Sequence, residues 1–344
     1  AAQLRHADVL RRNLGERRLL GGFFALMSAG TFALNQAFAR RGVLTGTVIQ
    51  ALCVTVPIGA PFMLLIAFFF GSAGEVFNFS ATAYMWLCLA GVNHFIAGRF
   101  FNYWAVQNMG TNLTGPVQQI DIIVALALAV WLLGEQLTPL RIVGILLIIG
   151  APMLTFKSDM QQARGKGTRV LKFTPQLGKG YLGAILSGIA YGISPILVRA
   201  GLQDASIGAS LAGGALSYGA ATVVLLAFVA ITGRSREVVS MDRTALGWFS
   251  FAGVSVGFAQ AFRYAALALV PVAVVAPILR VGLVFRLVFS WMFNRDHEVF
   301  STGIITATII SLFGALLLSM STELFLSLVS LPQWMVEIIQ WRWP

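Results

Sequence analysis

LMSAGTFALNQAFARRG (residues 26–42) is followed, later in the chain, by ILSGIAYGISPILVRAG (residues 185–201), and the two align without a gap. Ser28, Arg40 and Gly42 return as Ser187, Arg199 and Gly201. The same order continues downstream. Ala90-Gly91-Val92 returns as Ala252-Gly253-Val254, and Tyr103 and Pro116 return at one common spacing as Tyr264 and Pro277. Glu135 with Gly150-Ala151 then returns as Glu298 with Gly314-Ala315. Short matches arise easily in apolar sequence, so it is their shared order that predicts an internal duplication.

Each copy is mostly hydrocarbon. The chain is 58% hydrophobic and 11% charged, with a mean hydropathy of +0.81, whereas a soluble domain carries about 25% charged residues. A helix crossing a bilayer core of ~30 Å needs about twenty apolar residues, because every backbone polar group must be satisfied within the segment. Such runs fall at Leu19 to Ala39, Val48 to Phe70, Ala81 to Gln107, Leu113 to Leu133, Leu140 to Phe156, Tyr181 to Val198, Ala209 to Thr232, Ala245 to Leu269, Val270 to Phe293 and Ser301 to Met320. The expected fold is an all-α integral membrane protein of ten transmembrane helices, five to each copy. An odd number of spans per copy turns the second upside down relative to the first. Inverted repeats of this kind place a binding site near the bilayer midplane between the halves.

The segments outside the repeats are polar or mixed. The expected organisation is a basic arm at 1–18, a first repeat at 19–156, a basic linker at 157–179, a second repeat at 180–320 and an interfacial amphipathic tail at 321–344. The arm carries Arg5, Arg11, Arg12, Arg17 and Arg18 and lacks the apolar core and cleavage site of a signal peptide. The tail carries Trp334, Trp341 and Trp343, and tryptophan favours the headgroup level. The net charge of +11 sits in the arm and the loops, where anionic lipid headgroups are the expected partner rather than nucleic acid. Cys53 and Cys88 both lie in apolar runs, which leaves no disulfide framework and no thiolate metal site. Neither a phosphate loop, a His-Glu-x-x-His pair nor a nucleophile elbow is present, so neither an enzyme nor a cofactor is expected.

The run Pro116 to Leu133, then Gly134-Glu135-Gln136-Leu137-Thr138 and Gly144 to Gly150, resembles the Leu-Gly-Glu signature that closes the fourth span of EamA-type members of the drug/metabolite transporter superfamily. In the second copy Asn294-Arg295-Asp296-His297-Glu298 stands in its place, while Pro277 and Gly314 keep theirs. The resemblance covers Leu19 to Met320. It implies inverted five-helix repeats, cytoplasmic termini in a cell (inner or plasma) membrane, and alternating access around a cavity lined by the third, fourth, eighth and ninth spans. Loop cations, set side against side, favour the opposite orientation. The dense arginine arm ahead of the first helix decides for a cytoplasmic N-terminus.

An ionisable group at mid-bilayer costs at least ~2.5 to 3.5 kcal/mol on insertion scales and is a functional candidate by default. Arg99, Asp121, Arg263, Arg280 and Arg286 meet that description. Four arginines against one aspartate suit an anionic or zwitterionic small molecule better than a cation. Gln118 and Asp121, three apart, are expected on one helix face, and Arg280, near the middle of its span, aligns with Gln119 in the repeat. Asn93, His94, Arg99 and Asn102 form a polar stripe in the third span, and Tyr264 is expected to line the same cavity. The candidate substrate-binding residues are therefore Asp121, Arg280, Gln118, Gln119, Arg99, Asn93 and Tyr264. His94 and Asp121 are the groups considered for proton coupling. Metal ligands are not expected. Two competing functions share these features: a transport-inactive scaffold subunit that docks a protein partner through the arm or the tail, and a flippase for lipids or lipid-linked sugars. For the Asp121–Arg280 pair, the competing role is a permanent lock between the halves.

Overall fold

The computed structural model describes residues 2–133, 137–161, 173–202, 206–270, 272–320, 322–328 and 332–341. Side chains are described from residue 19 onward, apart from 133, 154–161, 272–273, 323–324 and 328. The elements are helices: α1 (Ala2–Gly42), α2 (Val48–Phe69), a 3-10 turn (Ala73–Phe77), α3 (Ala81–Gly91), a π-helical turn (Val92–Gly98), α4 (Arg99–Met109), α5 (Thr111–Gln118), α6 (Ile120–Leu133), α7 (Pro139–Gln161), α8 (Leu177–Leu202), α9 (Ile207–Ile231), α10 (Ser235–Val239), α11 (Arg243–Leu269), α12 (Val272–Arg280), α13 (Gly282–Asn294), α14 (Thr302–Ser319), α15 (Thr322–Leu328) and α16 (Gln333–Gln340). Where loops feed the long helices, short polar side chains satisfy the orphan amides of the first turn. Thr47 and Gln50 form a capping box on α2, Ser80 caps α3, Ser206 caps α9, Asp242 caps α11 and Ser301 caps α14.

Among the described residues, seven helices are long and apolar enough to cross a membrane: Val48–Phe69, Thr111–Leu132, Leu177–Leu202, Ile207–Ile231, Arg243–Leu269, Val274–Asn294 and Thr302–Ser319. Pro139–Met153 is a shorter apolar helix. The other expected runs lie within α1 and within α3 to α4, where the π turn interrupts a single continuous α-helix. Helix α1 begins at Ala2, so the basic arm is continuous with the first apolar run. Glu135 and residues 162–172 of the basic linker lie outside the described residues.

Exchange of the two copies leaves the packing pattern unchanged. Helix α1 packs on α11 and α13, as its counterpart α8 packs on α4 and α6; α2 packs on its counterpart α9, and α7 on its counterpart α14. Each copy thus completes the other, because either copy alone would leave these faces uncovered. Small residues permit the approach. A Cβ on Gly144 would lie 2.7 Å from the backbone oxygen of Gly314, and one on Gly91 would lie 2.1 Å from that of Ser217. Polar stitches cross between the copies as well: Ser28 donates to the Ala259 carbonyl at 2.7 Å and Asn35 to that of Ala252 at 2.9 Å.

Candidate functional site

Two interrupted helices meet at the centre. The fourth apolar run is not one helix: α5 ends at Gln118, α6 begins at Ile120, and Gln119 sits at the break with its amide reaching back to Pro116. In the second copy α12 ends at Arg280 and α13 begins at Gly282. Each break follows a proline in the first half-helix, Pro116 or Pro277, which removes one ladder donor and crowds the preceding turn. Across this one-residue break Gln118 and Asp121, expected on one helix face, take different closest partners, although both lie near Arg286.

Across the junction Arg280 lies 3.7 Å from Asp121 and donates to Gln119 at 3.5 Å. Asp121 sits in the first turn of α6, where the helix dipole favours a negative charge. The pair is only partly enclosed, with side chains 28% and 25% exposed. It is also incompletely bonded, since Asp121 Oδ1, Gln119 Nε2 and Arg280 Nε have no hydrogen-bond partner among the described residues. Gln118 turns the other way. It donates to Ser187 at 2.9 Å and accepts from both terminal nitrogens of Arg286 at 3.3 and 3.4 Å. Asp121 lies within electrostatic reach of Arg286 as well as Arg280.

Arg99 stands in a second polar cluster. The π turn before it shifts the register of the third apolar run, a feature that often marks functional sites. The guanidinium is buried, donates to the Thr55 carbonyl at 3.2 Å and the Tyr218 hydroxyl at 3.0 Å, and faces the rings of Phe95 and Tyr218 at 5.2 and 5.6 Å. Asn93 donates to Ala190 and Ser194, His94 lies against the rings of Phe95 and Tyr191, and Asn102 donates to Gln36. Tyr191 links the two clusters, being within electrostatic reach of both Arg99 and Arg286. Tyr264 sits under the Arg263 guanidinium at 5.3 Å and reaches toward the Ser210 carbonyl at 3.5 Å.

The structure thus groups the candidates in two sets: Asp121, Gln118, Gln119, Arg280 and Arg286 at the junction, and Asn93, His94 and Arg99 around Tyr191. Tyr191, Tyr218, Thr55 and Ser187 were not expected here. They lie in apolar runs, where an isolated hydroxyl does not stand out from packing residues. Metal-ligating clusters of three or more His, Cys, Asp or Glu are absent among the described residues.

A third ionic cluster lies at one end of the molecule, where Arg40 directly follows the first apolar run. Arg40 is 0% exposed. It donates to the carbonyls of Val106 at 2.8 Å, Gln107 at 3.1 Å and His297 at 2.6 Å, and its Nε lies 3.4 Å from Glu298 Oε1. Glu298 in turn accepts from the first two amides of α5, Thr111 at 2.6 Å and Asn112 at 3.1 Å.

Residues 19–157 and 178–320 match the model of the EamA-like transporter family. No curated protein matches the chain. A solved structure described as "Crystal structure of protein" is similar over 88% of this chain and 96% of its own, with a TM-score of 0.56 and 16% identity, a likeness of fold alone.

Proposed function

Since the chain belongs to the EamA-like transporter family, we propose that it is a secondary transporter that moves a small organic anion or zwitterion by alternating access around the junction of the two interrupted helices. The observation that carries this reading is the junction itself. Two half-helix breaks at corresponding repeat positions bring Asp121, Gln119 and Arg280 together, partly open and incompletely bonded. Discontinuous helices in matching positions of two repeats are where secondary transporters hold their substrates. The charge balance supplies the substrate class. Arg280 and Arg286 lie within electrostatic reach of the one aspartate, and Arg99 and Arg263 add positive charge in neighbouring helices, so a carboxylate or phosphate group meets guanidinium donors suited to bidentate bonding. A zwitterion would place its ammonium at Asp121.

On this reading the chain crosses the cell membrane ten times with cytoplasmic termini, residues 19–156 and 180–320 being the repeats, and the tryptophan-bearing tail lies along the interface. Asp121 and His94 are the groups through which a proton could be coupled. The test is binding and uptake by the purified protein in proteoliposomes, with organic anions, amino-acid zwitterions and quaternary ammonium ions as separate arms. An anion or zwitterion should raise thermal stability, as a ligand of the native state does, and should be taken up saturably. Saturable uptake of the quaternary ammonium ion alone would overturn the substrate class.

A further inference from the structure

We infer that the substrate carries two anionic groups, and that Arg99 and Arg263, on either side of His94, receive one while Arg280 and Arg286 receive the other. The inference rests on the transport reading above and deepens it: the substrate is an organic dianion, with two carboxylates or with one carboxylate and one phosphoryl group. The two poles lie at similar depth. Arg99 is ten residues before Met109, the end of α4, and Asp121, the partner of Arg280, is ten residues after Thr111, the start of α5. Ten residues of helix rise roughly 15 Å, which reaches the middle of a core of ~30 Å. Arg263 and Arg280 likewise flank the turn at Val270, at roughly 9 and 12 Å by the same rise. Side chains bridge the poles. His94 is within electrostatic reach of Arg99 and Arg263 and lies 4.6 Å from the Tyr191 ring, and Tyr191 is within reach of Arg99 and Arg286.

The second pole differs from the first in the partners it has. Arg99 is held by neutral acceptors, the Thr55 carbonyl and the Tyr218 hydroxyl, and Arg263 lies over the Tyr264 ring with its Nε unbonded among the described residues. Neither guanidinium forms an ion pair within the described residues. A charge at this depth is costly until water, protein or a ligand satisfies it, and two like charges flanking one imidazole add to the cost. An anionic group seated between them lowers it. The register of the first copy is shifted to put Arg99 there. Gly91 aligns with Gly253, but Tyr103 aligns with Tyr264, one residue out of step. The extra residue falls in the π turn Val92–Gly98, whereas α11 is continuous. One residue is about 100° of helix, so without it Arg99 and Asn102, now 5% and 2% exposed, would be turned away from the buried face that α3 sets. The alignment places Gln260 opposite Arg99 and Arg263 opposite Asn102. Each repeat therefore supplies one guanidinium to this pole from corresponding helices, as both repeats supply the junction.

If Arg99 only stitched α4 to α2 and α9, its replacement would alter stability without regard to the charge of the ligand. The experiment measures uptake by the full chain in proteoliposomes, using unbranched dicarboxylates and phosphonocarboxylates of graded chain length, each beside the monocarboxylate of the same length. In the parent, a dianion of the matching length should half-saturate at a concentration roughly tenfold or more below that of its monoanion, as one set of charge-assisted bonds provides. Arg263→Gln should bring the two values to within about twofold of each other, and so should Arg99→Gln, while Arg99→Lys keeps part of the preference. Arg280→Gln should abolish uptake of both ligands. Arg263 is the less enclosed of the two, so its variant decides the matter if Arg99→Gln does not fold. A dianion preference that persists in Arg263→Gln would overturn the inference, as would a parent that takes up monoanions as well as dianions at every length. Saturable uptake of a quaternary ammonium ion with no uptake of any organic anion would instead overturn the substrate class of the transport reading, a result distinct from equal handling of monoanions and dianions.

Discussion

Two ion pairs between the repeats, Arg40–Glu298 and Asp121–Arg280, are built to opposite specifications. Arg40–Glu298 is dry, with its charges met by three carbonyls and two amides in addition to each other. Asp121–Arg280 is about a quarter exposed, 3.7 Å apart, and has carboxylate and guanidinium atoms left over. Arg40 Nε, like Arg280 Nε, has no hydrogen-bond partner among the described residues, so the two pairs differ in enclosure rather than in unfilled valence. A pair sealed from solvent resists any other partner, whereas one about a quarter exposed can exchange its contacts for those of a ligand. On the proposed function the open pair is the one placed to receive substrate, although both are arginine–carboxylate contacts between the same two repeats.

The largest effect that would test this contrast is on stability at the dry pair. Glu298→Gln should cost about 3 to 5 kcal/mol, because it leaves Arg40 buried with carbonyls alone. Denaturant or thermal unfolding of the purified protein measures it. A loss below about 1 kcal/mol, the range of exposed pairs, would erase the distinction between the two sites. At the open pair, Arg280→Gln should abolish uptake while lowering stability by no more than about 1 kcal/mol, since its partial exposure lets water take over the aspartate. Adding Asp121→Asn should not restore uptake. If Arg280→Gln unfolds the protein and the double variant recovers both stability and uptake, the junction is a lock and the two pairs are alike.

Ionic strength sharpens the comparison further. Raising salt from about 0.01 to 1 M shortens the screening length from about 30 to 3 Å, which should raise the half-saturating substrate concentration several-fold and leave the unfolding midpoint of the Arg40 end unchanged. Equal responses would mean that both pairs are equally accessible to solvent ions. The smallest expected effect is at the cover of the dry pair. Phe173→Ala removes the ring over Arg40 and should cost about 1 kcal/mol, read as a shift in the unfolding midpoint with uptake retained.

Much of the architecture was legible along the chain. Hydropathy adds up residue by residue, so the apolar runs and their duplication could be read without knowing what packs on what. Ser28 and Arg40 recurring as Ser187 and Arg199 marked the equivalence of α1 and α8 that their packing repeats on α11 and α4. The charged residues within those runs could be named for the same reason: a charge in hydrocarbon stands out against its neighbours. Their partners could not. The amides of Thr111 and Asn112 belong to Glu298, 187 and 186 residues away, a pairing that depends on how helices from different repeats cross. Arg40 reads as a loop cation because it ends an apolar run. It is buried because α4, α5 and the α13–α14 turn converge on it. The breaks at Gln119 and Val281 likewise needed three dimensions, since Pro116 and Pro277 resemble Pro57 and Pro61, which lie inside the unbroken helix α2. By itself the sequence determined the solvent, the duplication and which charges fall inside apolar runs, because these are sums over local composition. Only the tertiary structure decided which charges meet, which are sealed and which stay open, because those outcomes depend on distances between segments that the chain's order does not contain.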